Sequence, residues 1–276
     1  MAITAAAVNE LRKMTGAGMM DCKKALQESN GDMEAAIDFL RKKGQKISAK
    51  RADRDASEGA VIAKASADNT TGVIVRLSCE TDFVAKNDDF VALANELAEL
   101  ALSNNATTLE DLKALPIGDT TVAERLVNEM GKIGEKIDVT NFAHVSGDAV
   151  SSYIHAGNKI GVLVKMNQAA NDANIAAGKD AAMQIAAMNP VAVDENGVSD
   201  DIKERELSIG REQAIAEGKP AQIVDKIAEG KLKRFYKDNT LLNQPFVKDS
   251  SKSVAQMLND IENGLTITQF ERIALG

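Results

Sequence analysis

Apolar positions recur at helical spacing from the start of the chain. Thr4 is suited to cap a helix, and Val8, Leu11 and Met14 follow it as an inner face before Thr15-Gly16-Ala17-Gly18 breaks the run. A second run, Met19 to Glu28, turns Cys22, Ala25 and Leu26 inward. Gly31-Asp32 opens a third, with Met33, Ala36, Ile37 and Leu40 inward and Gly44 as its stop. The spacing therefore predicts three short helices over residues 1 to about 44. Met19 and Met20 are adjacent, and neighbours on a helix cannot both face one core, so at least one is expected at the surface. From Arg41 to Arg54 the chain is basic, which reads as a solvated connector to the next domain.

The period then shortens. Ala60 to Ala67 and Thr71 to Cys79 read as a hairpin about the turn Asp68-Asn69-Thr70, with Val73, Val75, Leu77 and Cys79 on one face and Ile74, Arg76 and Ser78 on the other. Asn87 caps a helix striped by Phe90, Leu93, Leu97 and Leu100. A second copy follows: Ala149 to His155, the turn Ala156-Gly157-Asn158, Lys159 to Met166, then a helix from about Gly178 to Met188. Gly72-Val-Ile-Val-Arg-Leu77 parallels Gly161-Val-Leu-Val-Lys-Met166, which suggests two similar lobes. Between the copies, Thr120 caps a helix carrying Ala123, Leu126, Val127 and Met130, and Ile137 to Val145 reads as a strand. In Asp200 to Asp238, 18 of 39 residues are charged and Gly218-Lys219-Pro220 interrupts them, the pattern of an antiparallel helical hairpin with solvated arms. A short helix near Ser253 to Leu258 and a final strand, Thr266 to Ala274, close the chain.

Composition narrows the class. Apolar content of 44% and charge of 27% suit a soluble globular protein, which the duplicated strand-strand-helix pattern makes α+β, and a net charge of −8 argues against a nucleic-acid backbone as main partner. Cys22 and Cys79 form no CxxC pair, no apolar run reaches membrane-span length, and the N-terminus lacks a signal-peptide pattern, so a cytoplasmic location is expected. With only seven Phe, two Tyr and no Trp, one aromatic in a strand-to-helix connection stands out. Phe83 lies in Cys79-Glu-Thr-Asp-Phe-Val-Ala-Lys-Asn87, where such a ring either folds back on its own core or anchors in a partner's pocket.

That stretch, with Thr15-Gly-Ala-Gly-Met-Met-Asp-Cys-Lys-Lys-Ala-Leu26, resembles bacterial elongation factor Ts. Further matches in the same order are His155 with Lys159-Ile-Gly-Val-Leu-Val164, Ile185-Ala-Ala-Met-Asn-Pro190 and Gln244-Pro-Phe-Val-Lys-Asp249. The resemblance implies a three-helix unit like ubiquitin-associated domains, two strand-strand-helix lobes and a charged helical hairpin. The domains expected are residues 1–54, 55–146, 147–199 with 239–276, and 200–238 as an insertion. It implies a guanine nucleotide exchange factor acting on the GTPase elongation factor Tu, with self-association through a heterotetramer as one form of assembly. The implied partner-binding residues are Met19, Met20, Thr81, Asp82, Phe83, Val84 and His155. One departure is Ser250-Ser251, where the family shows Pro then Ser; it bears on the local turn.

Chemistry of other kinds has little support. The two histidines, His144 and His155, form no metal pair, and no HExxH, GxSxG or GxxxxGK[ST] pattern is present. Cys79-Glu80-Thr81-Asp82 makes a poor metal cage because near-adjacent residues cannot surround an ion. No enzyme, cofactor, membrane or direct nucleic-acid partner is expected. The rival readings are an RNA-binding adaptor built on the basic connector and a metal- or phosphate-dependent α+β enzyme.

Overall fold

Local capping explains where the first helices begin and end. The computed structural model describes residues 3–275. Helix α1, Ala5–Thr15, starts where the Thr4 hydroxyl accepts the Ala7 amide at 3.2 Å, and it stops at Gly16, whose φ of 67° is left-handed. Helix α2 spans Met19–Glu28, and α3 spans Met33–Arg51, capped by the Asp32 carboxylate on the Ala35 amide at 2.8 Å. Val8, Leu11, Cys22, Ala25, Leu26 and Ala36 form their small shared core. Met14 does not join it and is 59% exposed. Two i+3 steps turn 600° rather than 720°, so Met14 has drifted off the stripe that Val8 begins.

The chain continues through β1 (Glu58–Ala65), β2 (Thr71–Cys79), the single turn α4 (Asp82–Ala85), α5 (Asp88–Ser103), α6 (Leu109–Ala114), the short β3 (Pro116–Ile117) and β4 (Thr120–Thr121), α7 (Val122–Ile133) and β5 (Ile137–Ser146). Strand β2 is central in the sheet β1–β2–β5. Its two faces are both covered, since Ile74 and Ser78 are as buried as Val73, Val75, Leu77 and Cys79. Helix α5 lays Phe90, Leu93 and Leu97 into the core, while Leu100 is half-buried. The cap of α7 is Thr121, not Thr120: its hydroxyl accepts the Glu124 amide at 3.3 Å while Glu124 accepts the Thr121 amide at 3.0 Å. Thr120 is used by the β3–β4 pairing instead.

Gly44 is not a helix stop. Helix α3 runs on to Arg51, so most of the expected basic connector is helix, and Gly44 is buried mid-helix where α3 meets α7. A methyl on Gly131 of α7 would lie 3.1 Å from the Gly44 Cα, and one on Gly44 3.0 Å from the Val127 carbonyl. A mid-helix glycine costs about 1 kcal/mol relative to alanine, and here it permits two backbones to touch.

Contacts divide the chain into two units: one holds the chain up to Ile62, Val75–Ala143 and the end from Ala274; the other holds Ala63–Ile74 and His144–Ile273. The second contains β6 (Ala149–Ile154), β7 (Ile160–Met166), α8 (Asp172–Met188), α9 (Asp200–Ala216), α10 (Ala221–Asn239), β8 (Pro245–Phe246), β9 (Asp249–Ser253), α11 (Val254–Ile261) and β10 (Ile267–Ala274). Strand β7 is central between β6 and β10. In both sheets, therefore, the hairpin's second strand is central and a later strand adds at its far edge. Helix α8 begins well before Gly178, because the Asn171 side chain accepts the Asn174 amide at 2.9 Å. Gly178 sits mid-helix because a methyl there would lie 2.4 Å from the Ser151 hydroxyl. Helices α9 and α10 form the charged hairpin, closed on Ala214, Val224 and Ala228 and on Gly210, where an added methyl would lie 3.0 Å from the Ala228 Cα.

Candidate partner-binding surface

Two capping residues in quick succession build the turn that carries Phe83. Thr81 precedes α4 and its hydroxyl accepts the Val84 amide at 3.4 Å. Asn87 precedes α5 and its side chain accepts the Asp89 amide at 2.8 Å. The connection expected to be a loop thus contains one helical turn. Phe83 is 84% exposed on it, whereas Phe90 four positions after Lys86 is buried. The ring does not fold back on its own sheet.

The neighbours of Phe83 are held closely. The Thr81 amide and hydroxyl both donate to the Glu135 carboxylate, at 3.0 and 2.8 Å. Asp82 pairs with Lys86 at 2.6 Å, and the bond from that ammonium holds the Asp82 carboxyl below its ordinary range. Val84 is half-buried. Behind the turn, Cys79 is buried; desolvation, aided by the Glu135 charge, pushes its thiol up to about 12. Such a thiol is neither nucleophile nor ready metal ligand. Among the described residues, no group of three or more His, Cys, Asp or Glu is arranged to hold a metal.

Met19 and Met20 are both at the surface, 53% and 73% exposed at the start of α2. The Gly16 turn just before them and Phe83 line one cleft of about 640 Å³, together with Val84, Phe90, Leu93 and Ile133. Its polar side is the cluster in which Arg125 and Lys132 each contact Glu129 at 2.9 Å. The first unit therefore gathers the Gly16 turn, Phe83 and Val84 around one opening. Exposed apolar groups of this kind suit contact with another protein. Met14 and Ile133 also stand out from the surface, and the sequence reading did not place them there. Ile133 is the last residue of α7, which Gly134 caps in the left-handed conformation at φ 82°.

His155 belongs to the second unit. It is exposed at the β6–β7 turn, where its amide donates to the Ile160 carbonyl at 2.8 Å and its Nδ1 lies 3.1 Å from the Tyr153 hydroxyl. No helix among the described residues is long and apolar enough to cross a membrane.

Comparison with known proteins places these features in one family. The family described as Elongation factor TS matches residues 80–276. The elongation factor Ts of Amoebophilus asiaticus is 52% identical over 276 residues, covering 100% of both chains. That of Christiangramia forsetii is 54% identical with 99% of each chain covered. That of Porphyromonas gingivalis is 46% identical, covering 100% of this chain and 99% of its own. With this likeness running through both sheets and the helical hairpin, the chain belongs to the elongation factor Ts family.

Proposed function

We propose that this chain is a guanine nucleotide exchange factor that promotes GDP release from the GTPase elongation factor Tu by disturbing its magnesium and phosphate site. The observation that carries this reading is the Phe83 ring, 84% exposed on a turn fastened by Thr81 and Glu135. A tightly held nucleotide depends on a metal bridging its phosphates and on amides around them, so a rigid group inserted nearby misplaces their supports. Phe83 acts as the wedge, and Thr81 and Val84 hold it. Asp82 offers a competing acceptor; since it already pairs with Lys86 at the surface, engagement exchanges one partner for another. Met19 and Met20 fix the N-terminal helices to the partner, and His155 touches it elsewhere.

Linkage sets the thermodynamics. If this chain weakens nucleotide binding by some factor, nucleotide weakens binding of this chain by the same factor. It must therefore favour the empty partner over either loaded form. The test is release of labelled GDP from elongation factor Tu with and without this chain, and with Phe83→Ala. Acceleration by the natural chain and little by the variant is expected. Equal acceleration by both removes the wedge.

A further inference from the structure

The base of the Phe83 turn is closed by a reciprocal exchange between two dipeptides distant in sequence. Glu80-Thr81 leaves β2 and Glu135-Lys136 enters β5. Glu80 accepts the Lys136 amide at 2.6 Å, while Glu135 accepts the Thr81 amide at 3.0 Å and its hydroxyl at 2.8 Å. The end of α3 is tied to the same point. Arg51 donates to Glu80 at 2.6 Å, and Lys136 reaches back to the carbonyls of Ala52 and Arg54 at 2.6 and 3.0 Å. Glu80 is largely enclosed, its side chain 15% exposed.

A single helical turn does not hold itself, because nucleation fixes several dihedrals for one hydrogen bond. The internal cap of α4 is also weak, at 3.4 Å. The two bonds to Glu135 are shorter and charge-assisted, the stronger kind. They fix Thr81, and Thr81 aims the residues after it. We infer that Glu135 is a positioning residue for Phe83. Through Glu80, Arg51 and Lys136, the same clamp joins the turn to the N-terminal helices, so docking by Met19 and Met20 and insertion of Phe83 are delivered by one rigid piece. This inference rests on the exchange reading above.

The experiment measures labelled GDP release from elongation factor Tu against concentration of the full chain, giving a maximal rate and a half-saturating concentration, beside a thermal melt. Glu135→Ala, Glu135→Gln, Phe83→Ala and the double variant Phe83→Ala/Glu135→Ala are compared. Glu135→Ala is expected to lower the maximal rate about tenfold, the size of losing hydrogen bonds to a charged group, with half-saturation changed less than about twofold. Glu135→Gln, which keeps one acceptor and adds a donor that the Thr81 hydroxyl can accept, recovers most of the rate. If Glu135 acts through the ring, the double variant is no slower than Phe83→Ala alone. Additive losses, or a loss matching only the fraction melted, overturn the inference by making Glu135 merely structural. A full maximal rate for Glu135→Ala when Phe83→Ala is slow overturns it and leaves the exchange reading standing. A full rate for Phe83→Ala removes the wedge and this inference with it, whereas a natural chain that leaves GDP release unchanged overturns the exchange reading itself.

Discussion

In the first unit, β2 passes to α5 through residues 80–87; in the second, β7 passes to α8 through residues 167–171. Much else about the two passages is the same. Both strands are central in three-stranded sheets, and the burial of Thr71–Leu77 repeats residue for residue in Ile160–Met166. Both following helices are capped by asparagine, Asn87 and Asn171. The difference lies in what each link does with its surface. The second is sealed against its own chain: Asn167 bonds to the Gly264 carbonyl at 3.0 Å, Gln168 to the Asn263 carbonyl at 3.0 Å, and Asn171 to Glu262 at 3.4 Å. The first has one more helical turn and points an aromatic ring outward. A duplicated scaffold can spend one link on internal closure and leave the other for a partner, because loop residues are free to change while the strand and cap hold the frame.

Replacing residues 80–87 with the shorter Asn-Gln-Ala-Ala-Asn of the second unit should have the most drastic outcome. Labelled GDP release should fall to the rate of the partner alone, with helix content by circular dichroism retained; residual acceleration would place the activity elsewhere. Phe83→Ala tests the ring alone. Truncating a buried anchor costs about 2 kcal/mol at an interface, so exchange should slow roughly 30-fold. The melting temperature should move by less than about 2 °C, since an exposed side chain supports little of the fold. Met20→Ala sharpens the docking half: affinity for the nucleotide-free partner, by calorimetry, should weaken by about 1 kcal/mol with the melt unchanged.

The smallest effect concerns pH. Burial raises the Glu80 carboxyl, but its bonds from the Lys136 amide and Arg51 outweigh that and leave it below its ordinary 4.5. Its contribution to stability is therefore full above about 4.5 and lost as pH falls through the lower folded value. Melting curves of Glu80→Gln and the natural chain should differ at neutral pH by a few tenths of a kcal/mol and converge in acid. A gap that stays constant through the acid range would show that Glu80 contributes by shape alone.

Much of the frame was readable from local chemistry. Thr4, Asp32 and Asn87 announce helices because their short polar side chains meet orphan amides, and Gly218-Lys219-Pro220 announces the hairpin turn. The two glycine errors share a cause. Gly44 reads as a stop because its use, contact with Gly131, lies on another helix. Gly178 sits within its helix for the same kind of reason, the nearness of Ser151. Phe83 was conspicuous by scarcity, but its direction depended on the Thr81–Glu135 bonds, made across 54 residues with no local pattern to mark them.

Gly44 and Gly131 touch where α3 crosses α7, and that crossing works like the rivet of a calliper. Helix α2, which bears the methionine pair, packs on α3, and α7 lines the cleft beside Phe83, so the spacing at this crossing bears on both, and it is kept small by hydrogen atoms where any other residue would place carbon. An alanine at either glycine would press on the facing backbone at 3.0 to 3.1 Å and push the two helices apart by a few tenths of an ångström.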